Sequence, residues 1–131
     1  MKDVQATVNY YIARLSGPDV DDACHSLREL GGAALPHLVE AFEAARGSEV
    51  QRLLGEVICQ LRVAEALPFL TAMLQSDEPS LWKIALDGLV MLGDNTAVRP
   101  SVVETFLNSR QSADSEKRSW IDEALGQVRP G

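Results

Sequence analysis

The sequence of 131 residues is short of aromatic side chains, cysteines and long apolar runs. Its longest apolar stretches are only a handful of residues, as between Gly88 and Gly93, so no segment is predicted to span a bilayer. Asp3, Gln5 and Asn9 interrupt the position where the apolar part of a secretory signal would lie. Two cysteines cannot form a disulfide framework, and we therefore expect a reducing compartment, the cytoplasm.

Positive charge is also in the minority. Twelve Lys and Arg residues stand against 19 Asp and Glu residues, which gives a formal net charge of -7. This balance argues against nucleic acid or an anionic membrane as the main partner, because both require a positive surface. The hydrophobic fraction of 46% is typical of a folded protein, and the length predicts a single domain over residues 1–131.

The apolar residues repeat along the chain. Leu30, Leu61 and Leu92 end three apolar segments at intervals of 31 residues, and a fourth segment ends at Val128. After the first two segments, an Ala-Leu-Pro triplet opens the next one, at 34–36 and at 66–68. Counted back from each segment end, the apolar residues recur in steps of three and four, which is the period of a helix. We therefore predict four repeats, at about residues 3–31, 33–61, 64–92 and 96–128.

Each repeat is predicted to contain two helices, which makes the chain all-α. The eight helices are expected at roughly 4–15, 19–31, 34–46, 48–61, 64–75, 79–92, 97–110 and 115–128. Asp19 and Ser48 are predicted N-caps, and Gly31 and Gly93 are predicted left-handed residues after helix ends. No stretch alternates with the two-residue period of a half-buried strand. The tail after Val128 is expected to fray.

The start of the second helix in a repeat carries a resemblance to a known family. An acidic first turn is followed by an aliphatic residue and then by a basic one. This order is found in Glu49, Val50 and Arg52, and again in Asp77, Glu78, Leu81 and Lys83. Together with Leu-Pro at the start of the first helix, it resembles the HEAT-repeat family. The first repeat departs from the pattern at Asp21, and the fourth departs at Lys117 and Arg118.

The resemblance implies a short right-handed α-solenoid of about four antiparallel helix pairs, whose second helices line a shallow concave face. Two columns of polar residues are then expected on that face. One lies five residues before each helix end and the other lies nine before. The columns are His25, Glu56, Asp87 and Glu123, and Asp21, Arg52, Lys83 and Ser119. We therefore predict that this face binds a partner.

Enzyme chemistry is the competing interpretation of these columns. Glu56 and Asp87 could form a pair of catalytic carboxylates, which needs a defined separation of a few ångströms. However, Arg52 and Lys83 each precede one of these carboxylates by four residues, the spacing of ion pairs on a solvated helix. We therefore predict ion pairs and no catalytic residues.

The histidines and cysteines do not show the close sequence pairing of zinc ligands. His25 and His37 are separated by 12 positions, and Cys24 and Cys59 by 35. Zinc ligands are usually closely paired in the sequence. The sequence also has no Gly-rich motif of the kind that binds phosphate groups. We predict no metal and no cofactor, with both cysteines packed as small apolar residues.

Aromatic residues are candidates for interface anchors. Of Tyr10 and Tyr11, one is expected in the core and the other on the surface. Trp82 lies one residue away from the expected core stripe, next to Lys83, and exposed Trp residues often anchor interfaces. The alternative is that Trp82 packs against a neighbouring helix. Trp120 belongs to the expected stripe and is predicted to be buried.

These features favour a non-catalytic protein that binds another protein. In its most concrete form it is a small acidic inhibitor, for instance an immunity protein that neutralises a basic toxin domain. The predicted partner-binding residues are Asp21, His25, Arg52, Glu56, Trp82, Lys83, Asp87 and Glu123. The chain alone is expected to be monomeric. An adaptor or assembly subunit of a larger complex is the alternative, and a subunit of a HEAT-like lyase or cofactor-attachment enzyme is a third hypothesis.

Overall fold

A computed structural model describes residues 3–128, and all of its regular structure is helical, as predicted. These residues form eight α-helices: α1 (Val4–Ile12), α2 (Val20–Glu29), α3 (Leu35–Ala44), α4 (Glu49–Leu61), α5 (Leu67–Leu74), α6 (Pro79–Leu92), α7 (Arg99–Ser112) and α8 (Ser115–Val128). The tail after Val128, where fraying was predicted, lies outside the described residues. Within residues 3–128, no helix has both the length and the apolar character needed to cross a bilayer.

Helices α3 and α5 begin at the Leu-Pro pairs, later than predicted. Short 3₁₀ helices at Gly31–Ala34 and Ala64–Ala66 precede α3 and α5, whose second residues are Pro36 and Pro68. Proline has no N–H and cannot donate to the carbonyl four residues earlier, so it is tolerated in the first turn of a helix and not further in. The tighter 3₁₀ turn carries the chain into each proline-started helix.

The glycines after two helix ends have different roles. Gly31 has a φ of 67°, so the predicted left-handed conformation after α2 is confirmed. The same prediction for Gly93 is wrong, because its φ is -63°. A Cβ atom at Gly93 would lie 2.7 Å from Cγ1 of Val128. Glycine at position 93 therefore allows α8 to approach closely and does not serve to reverse the chain.

The two predicted N-caps also differ. Ser48 is confirmed, because its Oγ accepts a hydrogen bond of 3.2 Å from the backbone N–H of Gln51. Asp19 precedes α2, but its side chain makes no capping hydrogen bond. The Asp19 carboxylate instead forms an ion pair with Arg14.

The chain divides into two compact units, with the boundary between Val63 and Ala64. Unit 1 contains α1 to α4, and unit 2 contains α5 to α8. The boundary falls between the second and third predicted repeats.

In unit 1, α1 packs against α2, α3 against α4, and α2 against α4. Its core contains side chains with no exposed surface, among them Leu27, Leu38, Leu54 and Ile58. Burial of each such side chain stabilises the fold by about 2 kcal/mol. The polar Gln51 is also buried, and its Nε2 donates to the backbone oxygen of Phe42 at 3.3 Å while its Oε1 accepts from the N–H of Gly47 at 3.0 Å. Gln51 therefore ties the end of α3 to the start of α4.

In unit 2, α5 packs against α6, α7 against α8, and α6 against α8. Leu74, Leu89, Phe106 and Ile121 have no exposed surface and form much of its core. The buried Ser109 on α7 accepts a hydrogen bond of 2.7 Å from Gln75, just after α5. Among residues 3–128, each unit therefore has one buried polar side chain that connects its own helix to the end of another helix of that unit.

Candidate functional site

The predicted binding residues of unit 1 lie on two helices that pack together. Asp21 and His25 are on α2 and are exposed, whereas Arg52 and Glu56 are on α4 and are half-buried. Contact between α2 and α4 brings the two helices side by side. We call these four residues the α2/α4 surface.

Arg52 is the centre of an ion-pair group on α4. Its Nη1 lies 2.7 Å from Oε1 of Glu56, so the predicted pair four residues apart is confirmed. Its Nε also lies 3.0 Å from Oε1 of Glu49, one turn earlier. The hydrogen bond from Arg52 lowers the pKa of Glu49. Arg52 therefore neutralises carboxylates of its own helix.

The α2 side of this surface is also paired. Nε2 of His25 lies 2.6 Å from Oε1 of Glu29, one turn further along the helix. Arg28 donates a hydrogen bond to Gln60 on α4. Burial raises the pKa of the neighbouring Cys24, with Arg28 acting against the shift and Asp21 and Glu56 adding to it.

The two tryptophans of unit 2 occupy the opposite environments to those predicted. Trp82 is only 4% exposed, so its assignment as an exposed anchor is wrong, and the alternative of packing against a neighbouring helix is correct. Trp120 is 43% exposed, so its assignment to the core is also wrong. The two rings make an edge-to-face contact, with their centroids 6.1 Å apart. We call these two residues the tryptophan pair.

The rotation of α6 about its axis explains the burial of Trp82. Counted back from Leu92 in steps of three and four, Ile84 and Leu81 fall on the expected core stripe, but both are half-buried, and Trp82 and Leu86 are buried instead. Because α6 is apolar around most of its circumference, several rotations satisfy the helical period equally well. Burial of Trp82, which has the largest side chain on α6, removes the most apolar surface from water.

Lys83 does not form the predicted pair with Asp87. Its Nζ lies 3.8 Å from Oε1 of Glu116 on α8. The same Nζ lies 4.8 Å from the ring centroid of Trp120 and 5.6 Å from that of Trp82. Both distances are within the range of a cation–π interaction. Lys83 therefore links α6 to α8 and does not form the ion pair predicted within its own helix.

Lys117 also contacts the tryptophan pair. Its Nζ lies 5.8 Å from the ring centroid of Trp82 and donates a 3.4 Å hydrogen bond to the backbone oxygen of Ser76. Burial lowers the pKa of Lys117, and Asp77 and Asp114 act against that shift. Trp120, Glu116 and Lys117 were absent from the predicted site. Their spacing of three and four residues on one helix was the signal that could have joined them.

The remaining predicted residues of unit 2, Asp87 and Glu123, are exposed and form no ion pair with another described residue. Partial burial raises the pKa of Asp87. We call Lys83, Asp87, Trp120 and Glu123 the α6/α8 surface.

Unit 1 also has a cleft of about 440 Å³ between α1 and α3. Ala13, just after α1, and alanines of α3 line it together with the polar side chains of Asn9, His37 and Glu40. His37 is half-buried in the first turn of α3. Within residues 3–128, no group of three or more His, Cys, Asp or Glu side chains is arranged to hold a metal ion.

The sequence matches no protein-family model and no curated protein.

Proposed function

We propose that the chain is a non-catalytic HEAT-like repeat protein that binds another protein with the second helices of its repeats. In this proposal the eight helices form four antiparallel pairs of a short right-handed solenoid. The observation that carries the proposal is the same in both units: α2 packs against α4, and α6 packs against α8. These are the second helices of successive predicted repeats, and their packing brings polar residues of the two columns onto neighbouring helices.

The charge of the chain supports a basic partner. The formal net charge of -7 would attract a positively charged protein over a distance of about one Debye length, ~8–10 Å at physiological salt. Such steering raises the rate of association and disfavours acidic competitors. A basic domain that acts on nucleic acid has this complementary charge. The proposed role is therefore that of an inhibitor of the immunity-protein type.

The ion pairs of the α2/α4 surface support binding over catalysis. Glu56 is engaged by Arg52 at 2.7 Å, and His25 is engaged by Glu29 at 2.6 Å. The His25–Glu29 pair is largely exposed and the Arg52–Glu56 pair is partly exposed, and ion pairs accessible to solvent contribute at most about 1 kcal/mol. A partner can therefore rearrange them at little cost, whereas a general acid or base needs a fixed environment that tunes its pKa.

The test is to capture the partner and then to assay its activity. The tagged chain is cross-linked in a lysate of its source cell, the captured protein is identified and purified, and its activity is titrated with the free chain. An inhibitor abolishes that activity at a stoichiometric ratio. An unchanged activity in a stable complex would indicate the adaptor role instead, and the absence of any captured protein would contradict the proposal.

Charge-reversal variants locate the binding surface. Glu56→Lys and Asp87→Lys are expected to weaken partner binding by roughly tenfold or more, because each replaces an attraction by a repulsion. Helical content, measured by circular dichroism, should stay unchanged. Glu43→Lys on α3 and Glu104→Lys on α7 are matched controls, since both residues are exposed and the change in net charge is identical. Equal weakening by all four variants would contradict the assigned surface.

A further inference from the structure

Trp120 presents an aromatic ring whose position is already determined by its neighbours. It is 43% exposed, and its ring meets the buried Trp82 edge to face, at a centroid distance of 6.1 Å. A side chain held in this way loses little conformational freedom when a partner binds. Low entropy cost and large contact area are the properties that make tryptophan a frequent binding anchor.

The ring of Trp120 already holds a cation in the free protein. Nζ of Lys83 lies 4.8 Å from its centroid, closer than to the centroid of Trp82 at 5.6 Å. A ring that attracts an ammonium group also attracts a guanidinium group, which is planar, less strongly hydrated and able to stack. The chemistry of Lys83 therefore indicates which class of partner side chain fits this position.

Lys83 is held more loosely than Lys117, the other lysine that contacts the tryptophan pair. Its ion pair with Glu116 is 3.8 Å long, and the two side chains are 38% and 65% exposed. Exposed pairs of this kind contribute little to stability. Lys117, by contrast, donates to the backbone of Ser76 at 3.4 Å and is half-buried. A competing cation would therefore displace Lys83 and leave Lys117 in place.

Two carboxylates flank Trp120 along α8. Glu116 lies four residues before it and Glu123 three residues after it, and both are exposed. Residues with this spacing are neighbours on a helix surface. A guanidinium stacked on the ring therefore has a carboxylate one turn away on either side as a hydrogen-bond acceptor.

From these contacts we infer that Trp120, flanked by Glu116 and Glu123, is the anchor for an arginine side chain of a basic protein partner, with Lys83 occupying that position in the free protein. The inference rests on the proposed function for the basic character of the partner. It specifies an arginine as the partner residue that is recognised. It also implies that Lys83 competes with that arginine for the Trp120 ring and does not contribute to binding.

The probe for this inference is a fluorescein-labelled hexa-arginine peptide, with binding followed by fluorescence anisotropy at low ionic strength. Trp120→Ala is expected to weaken binding at least fivefold. Lys83→Met is expected to tighten it by roughly two- to fivefold, because the internal cation is removed. Arg14→Met is the matched control, because it removes one positive charge from a cation–π contact in unit 1. There, Cζ of Arg14 lies 5.4 Å from the ring centroid of Tyr10.

Further variants distinguish specific binding at Trp120 from general electrostatic attraction between the acidic chain and the basic peptide. Glu123→Gln should weaken binding more than Glu104→Gln, which makes the same change of net charge on α7. Trp120→Phe retains a ring and should bind with an intermediate affinity, and circular dichroism verifies that each variant is folded. Labelled hexalysine should bind more weakly than hexa-arginine, because ammonium groups do not stack.

The inference is overturned if Trp120→Ala binds hexa-arginine like the wild type, or if Lys83→Met is no tighter than Arg14→Met. It is also overturned if labelled hexaglutamate is preferred and Lys83→Met weakens its binding, since the surface would then serve an acidic partner. The peptide requires no natural partner. Partner capture that depends on Glu56 but not on Trp120 would therefore contradict this inference and leave the proposed function intact.

Discussion

The α2/α4 surface of unit 1 and the α6/α8 surface of unit 2 both lie on packed helix pairs. They differ in the partners of their basic side chains. In unit 1, Arg52 and His25 pair with carboxylates one turn away on the same helix. In unit 2, Lys83 crosses from α6 to Glu116 and Trp120 on α8. Equivalent positions in a repeat therefore do not produce equivalent contacts. The difference lies in the large aromatic side chains of unit 2, which offer a long lysine a partner on the neighbouring helix.

The largest expected effect distinguishes the two tryptophans of unit 2. Trp82→Ala should lower the free energy of unfolding by about 3–5 kcal/mol, because it opens a cavity in a packed interior. Trp120→Ala should lower it by only about 1 kcal/mol, since Trp120 is 43% exposed and leaves no enclosed cavity when it is truncated. Urea denaturation followed by circular dichroism measures both. Equal losses would contradict the assignment of Trp82 to the core and Trp120 to the surface.

A second prediction compares the buried polar residues of the units. Gln51→Ala in unit 1 should cost about 1–3 kcal/mol, because the N–H of Gly47 and the backbone oxygen of Phe42 lose the hydrogen bonds that Gln51 provides. Ser109→Ala in unit 2 should cost about 0.5–1 kcal/mol, since its partner Gln75 is exposed and can turn to water. The same urea titrations rank the two variants, and the reverse order would be evidence against this account.

The smallest expected effect is an opposite dependence on pH. The hydrogen bond from Arg52 lowers the pKa of Glu49 in unit 1 from its ordinary value of 4.5. This contribution to stability is present above the unfolded-state pKa and is lost as pH falls through the folded-state pKa. Burial raises the pKa of Asp87 in unit 2 from its ordinary value of 3.8. The contribution of Asp87 is therefore greatest below the unfolded-state pKa and is lost as pH rises through the folded-state pKa.

Neutral variants at Glu49 and Asp87 should consequently shift the thermal midpoint in opposite directions. At pH 7, Glu49→Gln should lower the thermal midpoint slightly and Asp87→Asn should raise it slightly, with both differences disappearing as the pH falls through the acid range. Thermal scans between pH 2 and pH 7 measure these differences, and Glu104→Gln serves as the exposed control. Shifts of the same sign for Glu49→Gln and Asp87→Asn would contradict the two environments.

Most of the secondary structure was predictable from local signals. The period of 31 residues and the steps of three and four predicted eight helices, and the observed helices lie at the expected places. Pro36 and Pro68 were correctly placed in first turns. The 3₁₀ turns before them were missed, because an apolar pattern does not distinguish a 3₁₀ turn from the first turn of an α-helix.

The candidate site was predictable only in part. The pair of Arg52 and Glu56 followed from spacing within one helix and is confirmed. The pair of Lys83 and Asp87 has the same spacing but does not form, because Glu116 and Trp120 compete for the lysine from another helix. Sequence spacing describes neighbours on one helix and contains no information on which helix lies beside it.

The sequence alone determined that the chain is helical, approximately where its helices lie, and which of their residues are apolar. Those properties depend on side-chain period, on proline and on glycine, all of which act within a few residues. Only the tertiary structure decided the rotation of α6, the burial of Trp82 and the exposure of Trp120. A helix that is apolar on most sides can be buried in several orientations, and its packing against α5 and α8 selects one of them.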